Sequence, residues 1–254
     1  SVEDTGAQPQ IAQWFYEVDD ARKPIALRAL LLEHASASAV VFCNTRHAVR
    51  AVAAELASAG FPVLALHGEL DQREREEMLV RFANHSCAVL VATDVAARGL
   101  DIEDLAMVVN HDLASDPDTH LHRIGRTGRA GREGLALSLC APDEAPRALA
   151  IAARLGEPLR WRPVPALAGK PAPAPFVTLV VDAGRQHKLR AGDLLGALTG
   201  TTGLPSAAVG KIDIFATRTY VAIARDALVQ ARDGLRRGRI KGRTFRVREL
   251  GIGS

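Results

Sequence analysis

The sequence predicts an α/β protein: a parallel β-sheet with helices on both faces, followed by a small α+β domain of split βαβ order. Three observations carry this. Short, continuously apolar runs alternate with amphipathic stretches between residues 39 and 139. A proline-rich segment, 157–175, holds six of the 13 prolines. Beyond it the element patterns run β-α-β-β-α-β.

In order, "AVVFC" (39–43), "PVLAL" (62–66), "AVLVA" (88–92), "AMVVN" (106–110) and "LALSL" (135–139) are short apolar runs of strand length. Strands apolar on both sides belong to a parallel sheet buried between helical layers. "TRHAVRAVAAELASAG" (45–60) and "DQREREEMLVRFA" (71–83) read as helices. Gly60 stops the first, and Asp71 with Glu74 forms a capping box for the second. Arg73 and Glu77 fall at i,i+4, an ordinary ion pair on a solvated face.

Proline fixes φ and removes a donor, so 157–175 is neither a regular helix nor an inner strand. Its "KPAPAP" end reads as a stiff linker. The expected division is 1–156, a linker over 157–175, and 176–254. In the last part "FVTLVV" (176–181), "GKIDIF" (210–215), "RTYVAIA" (218–224) and "RTFRVREL" (243–250) are strands. Residues 191–203 and 225–235 are helices.

Composition narrows the function. Residues 1–169 hold 17 Lys+Arg against 23 Asp+Glu, whereas residues 170–254 hold 15 against 6. A basic C-terminal part beside a mildly acidic larger part suggests an appended polyanion-binding module. No run approaches the roughly 18 apolar residues of a membrane span. The start, "SVEDTGAQPQ", lacks the pattern of a secretory signal. Cys43, Cys87 and Cys140 are an odd, widely spaced set, so a disulfide framework is not expected and a reducing cytoplasm fits. No cluster has metal-ligand spacing: His120 and His122 are two apart. Cys43, in a buried strand, reads as core.

"HRIGRTGRAG" (122–131) spaces three arginines by three and separates them with glycines. Such an array suits a phosphate chain, yet no GxxxxGK[ST] phosphate loop occurs in the 254 residues. "VVFCNTR" (40–46), "LHGELDQRERE" (66–76), "LVATDVAARGLDI" (90–102) and this segment occur in register. Here residues 10–155 resemble the second RecA-like domain of DEAD-box RNA helicases.

The resemblance implies ATP with Mg as cofactor, sandwiched between two RecA-like domains, the first of which is absent from these residues. It makes Arg129 the arginine finger and Arg126 a second γ-phosphate contact, with His122 linking the segment to the sheet and the nucleotide site. Asp101 would hold the ribose, and Gly99 would let the chain pass close to it. Arg46, Gly68, Gln72, Arg75 and Thr93 would grip the RNA backbone, which confers no sequence choice. Arg98 either contacts RNA or pairs with Asp94. The chemistry is consistent, because phosphoryl transfer needs positioned positive charge. If 122–129 is helical, Arg126 and Arg129 lie about 60° apart around the axis and converge on one ligand.

"GRQHKLRAGDLLGALTG", "VGKIDIF", "TYVAI" and "IKGRTFRVREL" resemble the RRM-like RNA-binding domain of the DbpA subgroup of that family, over residues 176–250. This implies binding to a 23S rRNA hairpin in the peptidyl-transferase region, and a role on the pre-50S particle. The stacking aromatics of the common RRM pattern are depleted: Tyr220 holds one position, while Arg218 and Thr178 fall where others would be. Binding is therefore expected through Arg185, Lys188, Arg190, Lys211, Arg218, Tyr220, Arg239, Lys241 and Arg243. The expected protein is a monomeric RNA helicase of which this chain alone is inactive. The alternatives are a non-catalytic RNA-binding protein that reuses both folds, and a DNA helicase of the same superfamily.

Overall fold

The computed structural model describes residues 11–34, 38–98, 105–128 and 133–251. The chain forms two compact units, one of residues 1–70 with 88–172, the other of residues 71–87 with 173–254.

The first unit is built on a six-stranded, all-parallel sheet in the order β1-β6-β5-β2-β4-β3. Its strands are β1 (Ile11–Glu17), β2 (Ala39–Phe42), β3 (Val63–Leu66), β4 (Val89–Ala92), β5 (Met107–Asn110) and β6 (Gly134–Cys140). β2, β4 and β5 are buried at every residue, which is why they read as short apolar runs, broken only by Asn110 at the end of β5. The helices of this unit are α1 (Lys23–His34), α2 (Arg46–Ser58), α4 (Asp94–Ala97), α5 (Pro117–Ile124) and α6 (Ala145–Leu155). This is a RecA-like architecture. Leu27, Leu30, Val41, Val49, Leu56, Val91 and Val109 share one core cluster.

α2 ends as expected. Gly60 takes φ +89°, and the Phe61 N–H returns to the Leu56 carbonyl at 3.0 Å. β1, α1, α5 and α6 fall outside the element patterns read from sequence. Part of the proline-rich stretch runs beside β1: Phe15 N–H donates to the Arg160 carbonyl and Arg162 N–H to the Phe15 carbonyl, each at 2.9 Å. Pairing at the outer side of an edge strand is compatible with proline-rich chain.

The second unit carries an antiparallel sheet in the order β10-β7-β9-β8. Its strands are β7 (Phe176–Val181), β8 (Val209–Ile214), β9 (Thr219–Ala224) and β10 (Val247–Glu249). With α7 (Ala191–Gly196) and α8 (Leu228–Arg237) they give the βαββαβ order. The helix expected over 191–203 breaks into α7 and a wide turn, 197–201. Leu179, Leu194, Leu198, Val221, Ile223 and Leu235 form the core beneath this sheet.

α3 (Gln72–Ala83) also belongs to the second unit. Its capping box is formed: Glu74 N–H donates to Asp71 at 2.7 Å, and Asp71 N–H to the Glu74 carboxylate at 2.8 Å. The Arg73–Glu77 pair is also present, at 3.3 Å. Val80 packs in one cluster with Val180, Tyr220 and Leu250. Asn84 Nδ2 donates to the Thr178 hydroxyl, and that hydroxyl donates to Ser86 Oγ, both at 2.9 Å. Glu77 receives Tyr220 Oη–H at 3.3 Å and Arg248 at 3.1 Å. The segment 71–87 therefore covers part of the sheet face that carries Thr178 and Tyr220.

Candidate nucleotide and nucleic-acid interface

The carboxyl ends of β2, β4 and β5 set the first half of the site, as an open parallel sheet requires. Each is followed by a polar residue that starts the next segment. Thr45 caps α2 through Ala48 N–H at 3.1 Å. Thr93 caps α4 through Ala96 N–H at 3.2 Å. Asp116 caps α5 through Thr119 N–H at 2.8 Å, with Pro117 in the first turn. That Thr119 hydrogen bond holds the Asp116 carboxyl below its ordinary pKa.

α5 turns His120, Arg123 and Ile124 inward. Arg123 is the hub. Its Nε and Nη2 bind the two Asp94 oxygens, each at 2.7 Å. Nη2 also reaches Asn44 Oδ1 at 2.8 Å, and Nη1 reaches the Asp112 carbonyl at 2.8 Å and Asn110 Oδ1 at 3.3 Å. The guanidinium lies 5.2 Å from the Phe42 ring centroid. One side chain thus ties together the ends of β2, β4 and β5. The sequence pattern does not single out Arg123, although the spacing of three in "HRIGRTGRAG" contains it.

His122 does not link to the sheet. It is exposed, and the residues that face inward from α5 are its neighbours. His120 takes that place, meeting Gln13 at 3.1 Å and stacking on Phe15 with centroids 5.9 Å apart. Burial, with Arg123 nearby, lowers its pKa to about 4, so the ring is neutral. The Arg98–Asp94 pairing is also replaced: Asp94 is taken by Arg123, and Arg98 is exposed. A cleft of about 50 Å³ remains, lined by Asp94, Arg98, Thr119, His122, Arg123 and Arg126.

The helix on which the convergence of Arg126 and Arg129 depended stops before Arg126. α5 ends at Ile124 and Gly125 caps it. Arg126 carbonyl then accepts Leu105 N–H at 3.1 Å, and the Thr127 hydroxyl donates to the Leu105 carbonyl. Gly128 takes φ +73°. A Cβ on Gly134 would lie 2.4 Å from the Gly128 nitrogen, so this glycine is required by backbone-to-backbone packing. Gly99, Asp101 and Arg129 lie outside the described residues.

Beneath the cleft is a second network. Asn44 N–H donates to Asp112 at 2.9 Å, and Lys23 Nζ binds Glu144 at 2.7 Å and lies 3.9 Å from Asp112. Burial opposes the charge on Lys23, but Glu144, Asp20 and Asp112 outweigh it and raise the pKa. Cys43, His111 and Asp112 are the one group of metal-ligand types brought together among the described residues. His111 Nδ1 is already engaged by Asp112 at 2.8 Å, and burial pushes the Cys43 thiol up. The set therefore fits an internal polar network.

The expected RNA-grip residues divide between the units. In the first, Arg46 is exposed and pairs with Glu69 at 3.2 Å; Gly68 is exposed. Thr93 is buried, and its hydroxyl is used in capping. In the second, Gln72 bonds Glu76 at 3.3 Å, and Arg75 sits half-buried one turn into α3.

On the small domain, Lys188, Lys241 and Arg243 converge with His187 and Phe245 around a concavity of about 260 Å³. Lys188 and Lys241 take φ +56° and +52°, and Lys241 Nζ reaches the Lys188 carbonyl at 3.1 Å and Asp193 at 3.3 Å. Arg185, Arg190 and Arg239 are exposed. Lys211 pairs with Asp213 at 3.4 Å, and Arg218 lies 3.7 Å from Asp182. Tyr220 departs from expectation. It is 2% exposed, edge-on to Phe215 at 5.4 Å and bonded to Glu77, so no base can stack on it here.

The chain matches two families: "Helicase conserved C-terminal domain" over residues 22–131 and "DbpA RNA binding domain" over residues 178–249. With this pairing, the RecA-like fold and the arginine segment, the chain belongs to the DEAD-box RNA helicases, in the DbpA subgroup. A relative, the ATP-dependent RNA helicase DbpA of Escherichia coli, is 49% identical over 250 residues, which are 98% of this chain and 55% of that protein. The chain thus spans about half the length of this relative. The DEAD-box helicase CshA of Geobacillus kaustophilus is 42% identical over 136 residues, 54% of this chain and 29% of its own. Among solved structures, E. coli SrmB bound to regulator of ribonuclease activity A aligns with a TM-score of 0.59 and 37% identity, covering 64% of this chain and 98% of that one. The C-terminal domain of Dbp5 aligns at 0.57 and 34% identity, covering 61% of this chain and 91% of that one.

Proposed function

We propose that the chain is the part of an ATP-dependent RNA helicase that supplies the arginine finger and half of the RNA grip. The complete protein acts on 23S rRNA in the cytoplasm, as a monomer, during assembly of the large ribosomal subunit. The working division is 1–156, 157–175 and 176–254, which the two family matches support.

The observation that carries this reading is the division of labour in the arginine segment. Arg123 is buried as an anchor, and it leaves His122 and Arg126 lining an open cleft. A structural helix has no need for that. On this reading Arg126 and Arg129 meet the γ-phosphate of ATP with Mg, and Asp101 and Gly99 face the ribose. The phosphate loop is supplied by another domain. Arg46, Gly68, Gln72, Arg75 and Thr93 hold RNA phosphates, an interaction that fixes register without reading bases.

The small domain supplies the choice of RNA. With Tyr220 covered, binding uses Lys188, Lys241 and Arg243 around the basic concavity, with the exposed Arg190. Reversing Lys188, Arg190 and Lys241 to Glu should abolish tight binding of the large-subunit hairpin, relative to an unrelated hairpin. Lys188→Ala alone should weaken binding and make the salt dependence shallower, by about 0.9 in log–log slope for each phosphate no longer neutralised. Unchanged affinity at physiological salt in the triple variant overturns the placement.

A further inference from the structure

A cavity of about 230 Å³ lies where the end of the 71–87 segment meets β7 and β10, walled by Arg81, Ser86, Phe176, Thr178, Arg225 and Glu249 among others. None of these residues is among those expected to bind ATP or RNA.

Arg81 is 7% exposed, and its Nε is buried without a hydrogen-bond partner. Among the described residues no carboxylate lies within ion-pair distance of it. The two nearby candidates are committed elsewhere: Glu77 to Tyr220, Arg73 and Arg248, and Glu249 to Arg232 at 2.7 Å. A buried guanidinium without a counter-charge is costly, and such groups are normally paired. Burial correspondingly lowers the Arg81 pKa.

Two further donors face the same space. Arg225 is exposed, and its Nε is anchored on the Ala174 carbonyl at 2.8 Å, which orients the rest of the guanidinium. Ser86 Oγ accepts from Thr178 at 2.9 Å, so its own O–H remains to donate. The space far exceeds the roughly 30 Å³ share of one water. Two guanidinium forks and a hydroxyl form a donor set suited to a tetrahedral oxyanion.

We propose that this cavity binds a phosphate group, with Arg81 as its buried counter-charge and Arg225 and Ser86 closing on the remaining oxygens. A bound phosphate would join Arg81, at the end of α3, to Arg225, just after β9. Free phosphate and the phosphodiester of an RNA strand share this chemistry.

The test uses the whole chain. The guanidinium Nε–H resonance of Arg81, assigned with Arg81→Lys, is followed during titration with inorganic phosphate and, separately, with a short unstructured RNA. A saturable shift with phosphate is expected, with a rise in the thermal midpoint. Arg225→Ala, a change at an exposed position, should weaken phosphate affinity about tenfold, as expected for removing one charge-assisted hydrogen bond. A shift by RNA that phosphate competes away identifies the strand as the source; a shift by phosphate alone identifies the free anion. An Arg81 resonance unmoved by both, or an affinity unchanged by both Arg225→Ala and Ser86→Ala, overturns the proposal. Loss of hairpin binding by the Lys188, Arg190 and Lys241 variant with an intact Arg81 response separates this site from the RNA face.

Discussion

Arg123 shows how one buried residue in the wall of a site can organise it. It is 2% exposed, and its bidentate contact with Asp94 fixes the start of α4 while its other nitrogens hold β2 and β5. Lysine cannot reproduce this, because a point charge lacks the planar fork. Arg123→Met strands Asp94 and several acceptors, and should cost about 3–5 kcal/mol. Arg123→Lys should fall between this and wild type. Urea unfolding with an unchanged m-value reads the loss as stability alone; a midpoint within error of wild type would contradict the hub. The spacing of three is visible in sequence, and it marks all three arginines alike. Only the turn of α5, with His120, Arg123 and Ile124 inward, marks Arg123 as the anchor.

Among elements, α3 was legible in itself but not in its partner. The capping box and the Arg73–Glu77 pair follow from spacings of three and four. Nothing local announces that Asn84 and Ser86 will meet Thr178, because a contact 94 residues apart leaves no periodic trace. Thr178 stands where the common RRM pattern has an aromatic; its hydroxyl instead serves a buried hydrogen-bond cluster. Asn84→Ala should remove the donor to the buried Thr178 hydroxyl, while Ser86 N–H keeps the Arg81 carbonyl, and cost about 1–3 kcal/mol. Hydrogen exchange should accelerate at residues 80–87 and in β7 together. Acceleration at residues 80–87 alone would argue against the coupling. The short elements escaped for a related reason: α5 spans eight residues, too few for a 3.6 period to declare itself.

For the whole molecule, the parallel sheet was readable because strands buried on both faces are apolar at every residue, as in β2 and β4, or at all but the last, as in β5 with Asn110. β1 was not, since its exposed Ala12 and half-buried Gln13 and Trp14 break the run at the sheet edge. The functional prediction at this scale follows from a sequence lacking the GxxxxGK[ST] loop. The chain alone should show no RNA-stimulated ATP hydrolysis above background. Adding in trans a RecA-like domain that carries the loop should restore it, and Arg126→Ala should remove most of what is restored. Turnover by the isolated chain would refute the incomplete-site reading.

The pairing of Asn84 with Thr178 also bears on how the protein is made. A ribosome adds residues from the amino end, so α3 emerges well before β7 and longer still before Tyr220 in β9. Until then Val80 and the Asn84 amide have no cover from that sheet. The nascent chain therefore carries a half-finished helix through the synthesis of about a hundred residues, at a rate of roughly 5–20 per second. That interval of several seconds is the window in which a chaperone, or a neighbouring nascent chain, would find α3 uncovered.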